Sequence, residues 1–253
     1  MKKGFLFIIV LLIVVIICSV SIRKKIGYAV HGIDVSYYQE DINFNKVVND
    51  GFSFVFMKAS ESHFLKDKQF DENWKNAAKS NLIRGAYHFF RADKDPVNQA
   101  NWFVRHVKLK PGDLPPVLDL ETTEGKSIGV VRERAKVWLN LIENQYKITP
   151  IIYTNKSFYE DYLYGREAFK KYPVWIAAYS SFTDPTLSDK SKKWIFWQYT
   201  DNGSVKGIKG EVDLNVFDGT LSDLKRMCIQ GKYNLEPLNK TTPKSLPQIG
   251  KMK

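Results

Sequence analysis

A chain of 253 residues, 44% hydrophobic and 14% aromatic, can fill one α/β barrel or two small domains, and is too apolar for a disordered protein. Its formal net charge of +11 lies mostly at the ends: residues 1–25 hold five Lys or Arg, residues 237–253 hold four Lys, and neither holds an acid. Residues 26–236 are left with +2, which excludes a nucleic-acid binder, since such proteins concentrate basic charge in the folded part.

The first element is apolar. Gly4 to Ile22 is a run of nineteen uncharged residues between Lys2-Lys3 and Arg23-Lys24-Lys25. That length spans a hydrocarbon core as a helix. A cleavable signal peptide usually has a shorter apolar region and a small-residue cleavage site, and "CSVSI" is a weak one. An N-terminal membrane helix is therefore expected over residues 1–25, with secretion the outcome if the segment is cleaved. The basic residues on both flanks carry no signal of orientation.

From residue 26 short apolar runs alternate with longer amphipathic ones. Strands are predicted at 29–36, 52–60 and 83–90, at "PPVLDLE" ending on Glu121, and at 149–155, 174–180, 194–200 and 212–217. Helices are predicted at 44–51, closed by Gly51, at 70–81, at 96–107 behind Pro96, and at 130–146. Repeated β-α units imply parallel strands, and eight of them imply a TIM-type β/α barrel whose helical ring is incomplete late in the chain. Residues 237–253, with three Pro among Lys, Thr and Ser, read as a disordered basic tail. Cys18 and Cys228 leave no disulfide within the barrel, and no metal-ligand spacing is visible, so neither metal nor cofactor is expected.

Active sites of such barrels lie at the C-terminal ends of the strands. There the sequence places Asp34, then Lys58, Ser60 and Glu61, then Tyr87-His88-Phe89, then Asp119 and Glu121, then Tyr153, Trp175, Tyr179, Trp197, Gln198 and Tyr199, with Asp213 opening the last strand and Asn215 within it. Asp119 and Glu121 are two apart in "VLDLET", so on a strand they share one face about 6.6 Å apart. Any one of these residues has a plain structural reading. A strand-end acid commonly reaches solvent, a lone Trp is more often core, and His88 is more often packed than catalytic. Convergence of carboxylates from four strands on one rim, with aromatics between them, points instead to a functional site.

The ordered set "GIDVSYYQ", "FVFMKASE", "GAYHFFR", "PVLDLE", "IIYTN", "VWIAAY", "WIFWQYT" and "VDLNVF" resembles family 25 glycoside hydrolases, the lysozyme-type N-acetylmuramidases, over about residues 30–220. The resemblance implies a flattened β/α barrel of five helix-bearing units and three late strands, acting as a monomer on peptidoglycan outside the cytoplasmic membrane. It implies Glu121 as proton donor and Asp119 as the group that steers the substrate's 2-acetamido group, with Asp34 or Asp213 the alternative activators of water. Tyr37, Tyr87, Phe89, Tyr153, Trp175, Tyr179 and Trp197 are candidate sugar-binding surfaces, and Glu61 and Gln198 candidate hydrogen-bonding partners. One residue departs from the pattern: Ser62 stands where the family usually has Gly, which puts the local loop in question. A glycan-binding module without turnover and a hydrolase of another acetamido glycan such as chitin are the alternatives.

Overall fold

The computed structural model describes residues 25, 27–179, 183–188 and 193–231. The predicted membrane segment and the basic tail lie outside the described residues. Among those described, no helix is long and apolar enough to cross a membrane.

In chain order the elements are β1 (Val30–Val35), α1 (Phe44–Asn49), β2 (Phe54–Glu61), β3 (Leu65–Lys66), α2 (Phe70–Ala77), β4 (Ile83–Phe89), α3 (Pro96–His106), β5 (Val117–Asp119), α4 (Ile128–Tyr146), β6 (Ile151–Asn155), α5 (Lys156–Phe158), β7 (Val174–Ala177), β8 (Phe196–Gly203), β9 (Val212–Phe217) and α6 (Leu221–Met227). The strands form one sheet in the order β1-β9-β8-β7-β6-β5-β4-β2-β3, and a β1–β2 pairing closes eight of them into a barrel, with β3 added outside. The helices start where the sequence supplies caps. Asn43 caps α1, Asp95 precedes the N1 proline of α3, and Thr220 with Asp223 forms a capping box on α6.

Strands β1, β2 and β4 to β8 are parallel, but β9 runs antiparallel to both β8 and β1. The expectation of a wholly parallel barrel therefore fails at its last strand. No helix lies between β8 and β9 to carry the chain back to the far end, so β9 must return directly. This reversal places Asp213, at the start of β9, beside Asp34, at the end of β1, as a register pair.

Alternation along the strands divides the apolar residues into two layers. Phe54, Phe56, Val117, Ile151, Trp175, Phe196 and Phe217 form the cluster inside the barrel. Ile33, Val55, Met57, Leu118, Ile152 and Ile176 face outward and pack with Phe103, Trp138 and Ile142 from the helices. Two glycines make the inner layer possible. A Cβ on Gly32 would stand 2.2 Å from the Phe54 ring, and one on Gly85 would stand 2.4 Å from Phe56. The two phenylalanines and Trp175 then plug the barrel, with Phe56 stacked on Trp175 at 4.5 Å, so the cleft above has a floor.

Candidate active site

At the C-terminal ends of the strands a cleft of about 310 Å³ is lined by Asp34, Lys58, Tyr87, Phe89, Asp119 and Glu121, and on its other side by Tyr153, Trp175, Tyr179, Gln198 and Asp213. Ser36, Tyr38 and Gln39 edge it. All four carboxyl residues expected from the sequence to do chemistry thus reach one cavity.

Asp34 and Asp213 form the first pair. Asp34 Oδ2 accepts from Asn215 Nδ2 at 2.7 Å and from Gln198 Nε2 at 2.9 Å. Those amides are themselves fixed. Trp175 Nε1 donates to Asn215 Oδ1 at 2.8 Å, while the Tyr153 and Tyr179 hydroxyls both donate to Gln198 Oε1 at 2.9 Å. Burial pushes the Asp34 carboxyl up, and its hydrogen bonds from Asn215, Gln198 and Asp213 pull it back. Asp213 lacks such donors. Burial first, and then the Asp34 charge and hydrogen bond, push it up to about 10. Both carboxyls are raised, so the pair shares a proton at a pH where free acids have lost theirs.

Asp119 and Glu121 form the second pair, at the end of β5 and just beyond it. Asp119 is only 5% exposed, and its Oδ1 has no hydrogen-bond partner among the described residues. Burial and then the charge of Glu121 hold the Asp119 carboxyl well above its ordinary range. Glu121 is less deeply placed, and burial and then Asp34 raise it as well. Lys58 opposes both shifts, and Arg91 opposes that of Glu121. Two adjacent carboxyls raised in this way retain a proton at a pH where free acids have lost theirs, as proton donation to a leaving oxygen requires.

Three candidates from the sequence sit elsewhere. Trp197 is fully buried outside the barrel, next to Tyr28 and Trp194, with Nε1 bonded to Ala178 O at 2.7 Å. It belongs to the core, because its neighbour Gln198 points inward and adjacent strand residues face opposite ways. Tyr37 lies behind Tyr38, stacked on it at 4.1 Å, and Tyr38, 72% exposed, edges the cleft instead. Glu61 is turned away from the cavity and holds Lys58 Nζ at 2.7 Å and Arg91 Nη2 at 2.5 Å. His88 is a core residue, bonded to Ser60 Oγ at 2.8 Å and Gln99 Oε1 at 3.2 Å and stacked on Trp138. Lys58 and Asn215 were placed at the strand ends by the sequence but given no role, and Tyr38 and Gln39 were not singled out. The inward parity of Lys58 with Phe54 and Phe56, and of Asn215 with Asp213, was the signal available. Ser62, buried, adopts φ 54°, the left-handed conformation for which glycine is suited. Among the described residues no group of three or more His, Cys, Asp or Glu could hold a metal ion.

A closed β/α barrel whose strand ends gather four carboxyl groups between tyrosines, a tryptophan and amides defines an α/β-barrel enzyme of the glycoside hydrolase class. Residues 33–208 match the model of the glycosyl hydrolases family 25, and the chain belongs to that family. Among curated relatives, an uncharacterized protein of Escherichia coli, YegX, is 38% identical over 212 residues, which cover 82% of this chain and 76% of that one. Lysozyme M1 of Streptomyces globisporus is 34% identical over 206 residues, covering 77% of this chain and 70% of its own. Among solved structures, a family 25 glycosyl hydrolase from Bacillus anthracis matches with a TM-score of 0.75 at 33% identity, covering 82% of this chain and 97% of that one.

Proposed function

We propose that the chain is a peptidoglycan N-acetylmuramidase, cleaving the β-1,4 bond between N-acetylmuramic acid and N-acetylglucosamine with Glu121 as proton donor. The observation that carries this reading is the Asp119–Glu121 pair: two carboxyls at one strand end that line one cleft walled by tyrosines and a tryptophan, both raised by burial. Lysozyme M1, a relative by sequence, supports the substrate class.

Glu121, the less buried member, protonates the leaving oxygen. Asp119 Oδ1, which lacks a partner among the described residues, accepts from the N–H of the 2-acetamido group and turns its carbonyl toward the anomeric carbon. The carbonyl oxygen bonds to that carbon as the glycosidic bond breaks, and Glu121 then takes a proton from the water that completes hydrolysis. This route suits the other pair better than direct activation of water does. A general base must be ionised with a free lone pair, whereas Asp213 holds its proton up to about 10 and Asp34 Oδ2 already accepts from two amides. Asp34 and Asp213 then shape the floor and supply negative potential beneath the developing cation.

The nineteen-residue uncharged segment Gly4–Ile22 supports anchoring in a membrane with the barrel outside it, where peptidoglycan lies. Digestion of purified peptidoglycan, with identification of the new reducing end and of its anomeric configuration at release, tests the reading. Muramic acid released with retained configuration is expected. Glucosamine at the reducing end would make the enzyme a glucosaminidase, inversion would return the water-activating role to Asp34 or Asp213, and binding without release would leave a glycan-binding module.

A further inference from the structure

Lys58 stands out as the only cation among the described residues lining the cleft. Strand alternation sends it inward above Phe54 and Phe56, and its ammonium is held in place from behind. Nζ bonds Glu61 Oε2 at 2.7 Å and lies 4.9 Å from the centre of the Phe89 ring. Arg91 fixes Glu61 from the other side through Nε at 3.0 Å and Nη2 at 2.5 Å, and its Nη1 bonds Glu124 at 2.5 Å. The Arg91 guanidinium also sits over Phe89, 4.6 Å from its centre. A flexible lysine at the edge of a cleft needs no such scaffold to remain soluble. A lysine whose charge must stay at one point does.

We propose that Lys58 is the positioning residue of the carboxyl cluster: a counter-charge pinned at the cleft wall by Glu61 and Arg91 that keeps one of Asp119 and Glu121 ionised while the other keeps its proton. The inference rests on the muramidase reading of that pair. Its physical basis is a charge count. Asp34 from β1, Asp213 from β9, Asp119 from β5 and Glu121 just beyond it all face the cavity with Lys58. Glu61 and Asp67 add negative charge from β2 and from the turn after β3, and Arg91, paired to Glu61 and Glu124, adds positive charge behind β4. Tyr87, Tyr153 and Tyr179 remain neutral, each raised by burial and by these same carboxylates. Without a cation inside, a buried cluster of this composition lowers its energy by taking up further protons. Lys58 acts against that, and lowers the proton affinity of Asp119 and of Glu121 alike.

The test is the pH dependence of kcat/KM on peptidoglycan for the full chain and three variants. Lys58→Met keeps the stem and removes the charge, so both the acid and the alkaline limb should move upward, by about one pH unit. Lys58→Arg keeps the charge and should hold both limbs near their wild-type positions even if kcat falls. Glu61→Gln removes the negative partner and leaves the ammonium less neutralised, so both limbs should move downward. A merely structural lysine predicts lower activity with limbs in place, and that result would overturn the proposal. Limbs moving the same way in Lys58→Met and Glu61→Gln would overturn it too. Should Lys58→Met show no cooperative thermal transition, Glu61→Gln decides alone, with unmoved or raised limbs counting against the proposal. A wild-type protein that releases no glycan fragments would sink the muramidase reading and this inference with it. Active wild type with static limbs would sink only the inference.

Discussion

The two carboxyl pairs of the cleft are built in opposite ways. Asp34 and Asp213 come from neighbouring strands, face each other in register and are served by amides that Trp175, Tyr153 and Tyr179 hold still. Asp119 and Glu121 come from one strand end, and the buried Oδ1 of Asp119 has no partner among the described residues. A saturated network costs little to keep and holds its shape. A desolvated carboxyl with an unmade hydrogen bond is destabilising until something supplies the missing donor. On the proposed mechanism the first pair is scaffold and field, and the second is where binding energy from a substrate has something to relieve.

The comparison is broken most decisively at Glu121. Glu121→Gln keeps size and hydrogen bonding but cannot donate an acid's proton, so turnover of peptidoglycan should fall by about 10²–10⁴-fold while glycan binding persists. Equal turnover in the variant would return this pair to the status of a solvated strand end.

The wired pair should respond through stability as well as rate. Asn215→Leu leaves Trp175 Nε1 without its acceptor and Asp34 without one of its donors. A buried polar group left unsatisfied costs about 1–3 kcal/mol, and the loss should appear in chemical denaturation. A variant as stable as wild type would mean that the network is slack.

Asp213 gives an effect read from its sign rather than its size. An aspartate has a pKa of about 3.9 in an unfolded chain, and burial beside Asp34 raises it to about 10 in the fold. Its contribution to stability is complete below the unfolded value and is lost as pH rises toward the folded one, because the unfolded chain ionises freely and the fold does not. Asp213→Asn removes that slope, so between about pH 5 and 9 the melting temperature should decline less in the variant than in wild type. Parallel curves would show that the shared proton is not there.

The smallest effect is expected at the loop beside Lys58. Ser62 holds φ 54° while buried, and a left-handed L-residue costs about 1–2 kcal/mol, against about 0.5–1 kcal/mol of added unfolded-state entropy for glycine. Ser62→Gly should thus raise the urea midpoint by the equivalent of less than about 1 kcal/mol. A lower midpoint would mean that its hydroxyl, 3.4 Å from His63 Nδ1, does more than that distance suggests.

Much of this arrangement could be read from residue order. "VLDLET" predicts two acids on one face, and both line the cleft although β5 ends at Asp119 and Glu121 lies just beyond it. The same parity would have excluded Trp197, since Gln198 next to it points inward. Glu61 and Tyr37 were harder to read. A register shift between Lys58 and Ser60 breaks the alternation before Glu61 is reached, and Tyr37 lies in a 3-10 turn (Tyr37–Gln39) where period two no longer applies. The reversal of β9 follows from a missing helix between two strands, a cue that becomes decisive only once barrel closure is known. Strand β3 is two residues long and leaves no periodic trace. The bonds of Asn215 and Gln198 to Asp34 could not be read for another reason: they form only through pairing across 181 and 164 residues of chain.

The division of labour within the second pair is the central claim, and leaving-group dependence tests it most directly. Wild type, Glu121→Gln and Asp119→Asn are compared on peptidoglycan and on an aryl glycoside of the same disaccharide, whose leaving group needs little protonation. If Glu121 is the donor and Asp119 the steering group, Glu121→Gln should recover much of its lost rate on the aryl substrate, while Asp119→Asn should be impaired on both. Rescue of Asp119→Asn instead, with Glu121→Gln equally impaired on the two substrates, would contradict the assignment and make Asp119 the acid.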